Sequence, residues 1–183
     1  MSNIQLDYSD ITDIFREKLK IDNIVKKVSS IFLNQRYAGK INYKPYFQRN
    51  YVWDEEKATY FIESILLGTE IPTLVLFQTK DKNEVIDGRQ RYETIERFLG
   101  DKLVLKEKGL HSLKILSGKK YSQLDEETRE LFENTRIRIL QFSVVDEPKL
   151  DEEKEEKIKR RFLGDIIREL HHYKNMIFPE QCI

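Results

Sequence analysis

Ile21, Ile24, Val25, Val28, Ile31 and Phe32 recur at spacings of three, one, three, three and one. That spacing traces one apolar stripe and predicts a helix running from Ile21 to a point before Gly39. Upstream, "DITDIFREKLK" puts Ile11, Ile14, Phe15 and Leu19 on one face and predicts a shorter helix. "KINYKPYFQRNYVW" is rich in aromatics and predicts a short strand that runs into an ordered loop. Asp54 is placed to cap the next helix, whose buried face is Ala58, Phe61, Ile62, Ile65 and Leu66, with Gly68 as its stop.

"TLVLFQTK" and "NEVID" read as strands around the polar turn "KDKN". Gly88 then opens a helix with Tyr92, Ile95, Phe98 and Leu99 inward, and Gly100 ends it. "DKLVL" leads into a polar, loop-rich region with a short helix near "LDEETRELFEN". In "RIRILQFSVV", Ile137, Ile139, Gln141 and Ser143 alternate with Arg138, Leu140 and Phe142, as a strand requires. From Asp151 on, the pairs Glu153–Lys157, Glu155–Lys159 and Glu156–Arg160 predict a solvated helix. The order strand, helix, strand, strand, helix predicts an α+β class.

Composition narrows this further. A chain of 183 residues and 22.0 kDa has room for one domain with a real core and a small appendage. Lys+Arg and Asp+Glu both total 32, so any nucleic-acid face must be a local patch. The single cysteine, Cys182, excludes an internal disulfide and a cysteine-rich metal site, and fits a reducing cytoplasm. "MSNIQLDYSD" has no signal-peptide pattern, and no run of about 18 apolar residues occurs. The expectation is a cytoplasmic protein with no membrane partner.

Candidate chemistry centres on "NEVIDGRQRYETIERFLG", residues 83–100. A glycine between strand and helix leaves backbone N–H groups and the positive end of the helix dipole available to phosphate. Arg89 and Arg91 add guanidinium forks that match phosphate oxygens. Asp87 would repel bare phosphate, so its use would be to hold Mg²⁺ or to orient a water or ribose hydroxyl. Gln90 can donate and accept, which suits a water or a base edge. The plainer alternative is a tight turn whose arginines pair with Asp87, Glu84 or Glu93.

A second element, "PYFQRNYVW", puts Gln48 and Arg49 ahead of Tyr51 and Trp53. The aromatics offer a stacking surface for a base or an arginine, or else belong to the core at the start of the next helix. The histidines make no nuclease site: His171 and His172 are adjacent on a predicted helix and face about 100° apart, and His111 stands alone.

Taken together, "YKPYFQRNYVW", "ESILLGTEIPTLVLF" and "EVIDGRQRYETIERF" resemble the N-terminal domain of GmrSD-type modification-dependent restriction systems. The signature is a Gln-Arg element shortly ahead of a Trp, then Ser-Ile-x-x-Gly-x-x-Ile-Pro, then Asp-Gly-Gln-Gln-Arg heading a helix. The match runs from about Lys44 to Leu99, with weaker agreement from "YSQL" to "IRILQFSVV". Arg89 stands where the family usually has glutamine.

The resemblance implies a ParB nuclease-like, or sulfiredoxin-like, core: a small mixed sheet flanked by helices, with extra N- and C-terminal helices. Residues 1–40 would be N-terminal helices packing on the core, 41–146 the nucleotide-binding core, and 147–183 a charged C-terminal helix. The implied activity is binding and hydrolysis of an NTP with Mg²⁺, coupled to antiphage restriction of modified DNA. By this carry-over Asp87, Gln90 and Arg91 are catalytic and Gln48, Arg49, Gly88, Arg89 and Arg91 bind nucleotide phosphate. Tyr51 and Trp53 would stack, and Asp87 would take the metal. The family continues past "IRILQFSVV" into an Arg-Leu-Asn element and often a His-Asn-His nuclease domain, and "IKRRFLGDIIRELHHYKNMIFPEQCI" carries neither. The chain therefore reads as truncated, frameshifted or split, with cleavage left to a nuclease subunit or domain outside it and room for a homodimer. The alternative is a DNA- or partner-binding module with the same fold and no turnover.

Overall fold

The computed structural model describes residues 19–34, 40–43, 50–69, 71–78 and 82–144. Its first element corrects the helix expected from Ile21: Leu19–Lys27 is a strand, β1, and only Val28–Phe32 is helical, as α1. The apolar residues here are mostly Ile and Val, whose branched β-carbons lose rotamer freedom in a helix and fit a pleated sheet. The stripe keeps its helical meaning only in α1, where Val28 and Ile31 are buried. Most of the shorter helix expected in "DITDIFREKLK", and all of the charged helix after Asp151, fall outside the described residues.

Ile41–Asn42 forms the short strand β2 expected in the aromatic segment. Asp54 caps the next helix, α2 (Glu55–Leu66), by accepting the Lys57 N–H at 2.7 Å. Glu55 and Glu56 in the first turn complement the helix dipole. The predicted face of Ala58, Phe61, Ile62, Ile65 and Leu66 is buried, and the helix closes at Gly68 with φ +67°. Leu74–Gln78 (β3) and Asn83–Asp87 (β4) follow, then α3 (Arg89–Leu99), which buries Tyr92, Ile95 and Phe98. These elements stand where the apolar pattern placed them.

The polar region after Gly100 contributes more to the core than its composition suggests. Three 3-10 turns carry it over α2 and α3, and Leu103, Leu105, Leu110, Leu116 and Leu124 are buried along the way. Burying a leucine side chain removes it from water at a gain of about 1.5–3 kcal/mol, which is enough to hold an irregular segment down. Gly109 comes so close to α2 that an added Cβ would stand 2.4 Å from the Glu56 carbonyl oxygen. Glu126–Asn134 (α4), capped by Asp125, seals the far side with Phe132. The chain then enters β5 (Arg136–Val144). Ile137 and Ile139 are buried and Arg138 exposed, as the alternation predicts, whereas Phe142 is buried against it.

The strands join in one mixed sheet of order β1-β5-β3-β4-β2. β2 runs parallel to β4, and β3 runs antiparallel to it with a register shift between Val75 and Leu76. Val75 is the partner of Asp87, so the irregularity sits where β4 gives way to Gly88. Residues Asp22–Gln141 form one compact unit, which holds all of the site described below. Of the other, Met1–Ile21 with Phe142–Ile183, the described residues are the outer ends of β1 and β5.

Candidate functional site

The site is built on the turn from β4 into α3. Gly88 caps α3 in the left-handed region, at φ +94° and ψ 15°, where a side chain is disfavoured. Space forbids one as well, because a Cβ on Gly88 would lie 2.4 Å from Leu74 Cδ2 and 3.0 Å from an Arg91 guanidinium nitrogen. The guanidinium of Arg91 is therefore folded back over the helix start.

Arg89, Gln90 and Arg91 are all buried, at 6%, 8% and 8% exposure, in the first turn of α3. Each faces a different neighbour. Arg91 donates to Asp87 Oδ2 at 3.1 Å, and Arg89 Nε lies 3.4 Å from Glu93 Oε2. These are the pairings of the plainer alternative reading of the turn, apart from Glu84. Burial pushes the Arg91 guanidinium below its ordinary value, and the Asp87 carboxylate beside it works the other way. On the side of Glu93, Tyr43 is hydrogen-bonded to Glu96, and burial with that acceptor pushes the phenol up to about 12. Its ring packs 5.2 Å from that of Tyr92, which in turn lies 4.6 Å from Phe32.

Gln90 points elsewhere. Its Oε1 accepts the Val52 N–H at 2.8 Å and the Trp53 N–H at 3.3 Å, and its Nε2 donates to the Asn50 carbonyl at 3.1 Å. Residues 50–53 thus lie as a strap on α3. Thr94 Oγ1 donates its single proton to the Gln90 carbonyl at 2.7 Å, so Tyr51 OH is the donor in the 2.9 Å contact with Thr94 Oγ1. The Arg97 guanidinium covers the Tyr51 ring at 4.7 Å, and Lys57 Nζ stands 5.5 Å over the Trp53 ring. Trp53 also packs edge-on against Phe61 at 5.4 Å and joins the core. Each of the two expected stacking residues therefore has one ring face occupied by a cation of the chain itself.

The structure brings Asp87, Gly88, Arg89, Gln90 and Arg91 together at one helix start. Tyr51 instead lies farther along α3 against Thr94 and Arg97, and Trp53 meets Gln90 through its backbone N–H with its ring on α2. Gln48 and Arg49 lie outside the described residues. Sequence reading passed over Thr94 and Arg97, which share the strap-holding face of α3 with Gln90 at helical spacing. It also passed over Glu63, whose carboxylate accepts the N–H groups of His111, Ser112 and Leu113. The signal was its place within the apolar stripe of α2, four residues after Thr59 and three before Leu66. Among the described residues no group of three or more His, Cys, Asp or Glu could hold a metal ion. No helix among them is long and apolar enough to cross a membrane.

A mixed sheet whose β4–Gly88–α3 turn buries two arginines and a glutamine defines an α+β chain with a charged helix start. The family described as GmrSD restriction endonuclease, N-terminal domain, matches residues 28–179, and the chain belongs to that family. Membership makes it part of a restriction system. No curated protein and no solved structure matches the chain.

Proposed function

We propose that the chain is the nucleotide-binding and NTP-hydrolysing domain of a modification-dependent restriction system acting on phage DNA, with a ParB nuclease-like core. The observation that carries the reading is Arg91, a buried guanidinium folded over a helix start with a part-exposed carboxylate, Asp87, as its ion partner. A buried arginine is costly unless paired, and the fork that accepts a carboxylate accepts a phosphate in the same geometry. Backbone N–H groups of the first turn and the helix dipole favour an anion at the same place. Arg89 supplies a second guanidinium, and Gln48 and Arg49 would join from the preceding loop.

Asp87 is one carboxylate and makes no metal cage, which fits Mg²⁺ carried in on nucleotide phosphates with most of its shell as water. When bound, the ion would supply neutralisation of phosphate charge. The chain's own part is to bind and orient: Arg91 and Arg89 hold phosphate, and Asp87 limits entry of phosphate that carries no cation. Modified DNA and a nuclease subunit or domain outside this chain are the remaining partners, in the cytoplasm.

The test is calorimetric titration with ATP, GTP, CTP and UTP, with and without Mg²⁺, on wild type, Asp87→Asn and Arg91→Lys. Wild type should bind at least one nucleotide, and Asp87→Asn should bind it more tightly without metal. Arg91→Lys, which keeps the charge and loses the fork, should weaken it about tenfold. Wild type that binds none of the four would end the proposal. A second reading, a binding module without turnover, is favoured by Gln90, whose amide is turned to the strap and not to the helix start. Salt-dependent DNA binding by a chain that binds none of the four nucleotides would select it, as a DNA- or partner-binding module.

A further inference from the structure

Gln90 holds the backbone of the strap from both ends of its amide, although α3 does not need it to close. The helix makes its own first bond from the Tyr92 N–H to the Gly88 carbonyl at 2.8 Å. A buried amide is unfavourable unless its polar atoms are satisfied, and here they are satisfied by a surface segment, with Asn50 and Val52 exposed. The other two ties, Thr94 to Tyr51 and Arg97 over the Tyr51 ring, come from the same helix face. Positions 90, 94 and 97 thus act as one row of attachments. Of these only Gln90 lies in the first turn, between Arg89 and Arg91.

We propose that Gln90 is a positioning residue that couples nucleotide occupancy at the start of α3 to the order of the strap Asn50–Trp53. Ordering the first turn on phosphate orders the residue from which three of the strap's hydrogen bonds run, so the strap is held more firmly when the site is filled. This gives Gln90 a task other than holding a water. The inference rests on the nucleotide reading above.

The experiment is amide hydrogen exchange at Val52 and Trp53, with the fluorescence of Trp53, the single tryptophan of the chain, followed in the same samples. ATP, GTP, CTP and UTP with Mg²⁺ are the probes, and calorimetry reports binding separately. In wild type, the nucleotide that binds should slow exchange of both amides by about tenfold or more. Gln90→Leu should exchange them fast whether or not nucleotide is present, while amides of β3 and α2 keep their protection. Gln90→Glu, nearly the same shape, keeps the acceptor for both amides but sets a carboxylate oxygen against the Asn50 carbonyl and adds a charge near the phosphate. Where calorimetry still shows it saturated with nucleotide, it should keep part of the slowing, between wild type and Gln90→Leu. Nucleotide that binds by calorimetry yet leaves the Val52 and Trp53 amides unchanged overturns the inference and leaves the nucleotide reading intact. Full retention of the slowing in Gln90→Leu overturns it in the same way. Absence of binding by any of the four removes both.

Discussion

The two carboxylate oxygens of Glu63 accept the N–H of His111, at 2.9 and 2.8 Å, across 48 positions of sequence. The Oε1 atom also accepts the N–H groups of Ser112 at 2.8 Å and Leu113 at 2.7 Å. One buried side chain of α2 thereby satisfies three consecutive backbone donors of the irregular segment that follows α3. Thr59 adds to the attachment: its Oγ1 donates to the Glu55 carbonyl and accepts the Lys106 N–H at 3.0 Å.

Replacing Glu63 by glutamine keeps the shape but leaves a neutral amide oxygen for the three N–H groups and turns an NH₂ toward the His111 N–H, which Oε2 had accepted. Hydrogen bonds to a charged acceptor are worth about 1.5–3 kcal/mol each, and a donor left unpaired costs a similar amount. Glu63→Gln should therefore lower the unfolding free energy by about 2–3 kcal/mol. Urea titration followed by far-UV circular dichroism measures it. A loss smaller than that of an exposed substitution such as Glu127→Gln would show that the carboxylate is not what holds the loop.

The same residue sets an acid dependence. Burial alone would raise the Glu63 carboxyl, but the N–H groups of Leu113, His111 and Ser112 together hold it below its ordinary 4.5. A lowered folded-state value means that the unfolded chain binds the proton first. The stabilisation is then complete above about pH 4.5 and is lost as pH falls through the lower folded value. Urea midpoints between pH 7 and pH 3 should fall more steeply below pH 4.5 in wild type than in Glu63→Gln. Parallel curves would refute this.

Local signals made most of the frame legible. Asp54 before a 3.6-period stripe, and Gly68 after it, marked α2 at both ends, and Gly88 between an apolar run and an amphipathic one marked the β4–α3 turn. What stayed hidden depends on contacts distant in sequence. The Ile and Val spacing of β1 fits a helix until β5 supplies a neighbouring strand, and only then does the β-branched content decide. Nothing near Gln90 in sequence announces that its amide is taken by residues about forty positions earlier. The residue types placed the turn itself at a helix start, but not that Arg89, Gln90 and Arg91 would be buried and each already partnered.

Gly88 and Gly118 make a matched pair for testing how tight that turn is. Both have positive φ, +94° and +78°, but a Cβ on Gly118 would meet nothing within 4 Å. Gly118→Ala should cost about 1 kcal/mol, the backbone penalty alone. Gly88→Ala adds the collision with Leu74 and Arg91, at about 1–3 kcal/mol more. Equal losses in urea unfolding would mean that the turn relaxes freely.

Tyr51 and Thr94 should behave as one unit. The Tyr51 phenol donates to Thr94 Oγ1, which spends its own proton on the Gln90 carbonyl. Tyr51→Phe removes one hydrogen bond and should cost about 1 kcal/mol. Thr94→Val removes both contacts at a fully buried position and leaves the Tyr51 hydroxyl without this acceptor, so about 1–3 kcal/mol is expected. Because the second change has already broken the shared bond, adding Tyr51→Phe to Thr94→Val should cost little more, a coupling of about 0.5–1 kcal/mol in a double-mutant cycle. The cycle is read from urea unfolding of the four proteins. Strict additivity would mean that the phenol is held by Arg97 stacking alone, and that the strap's second tie to α3 is the cation over the Tyr51 ring and not the hydroxyl chain.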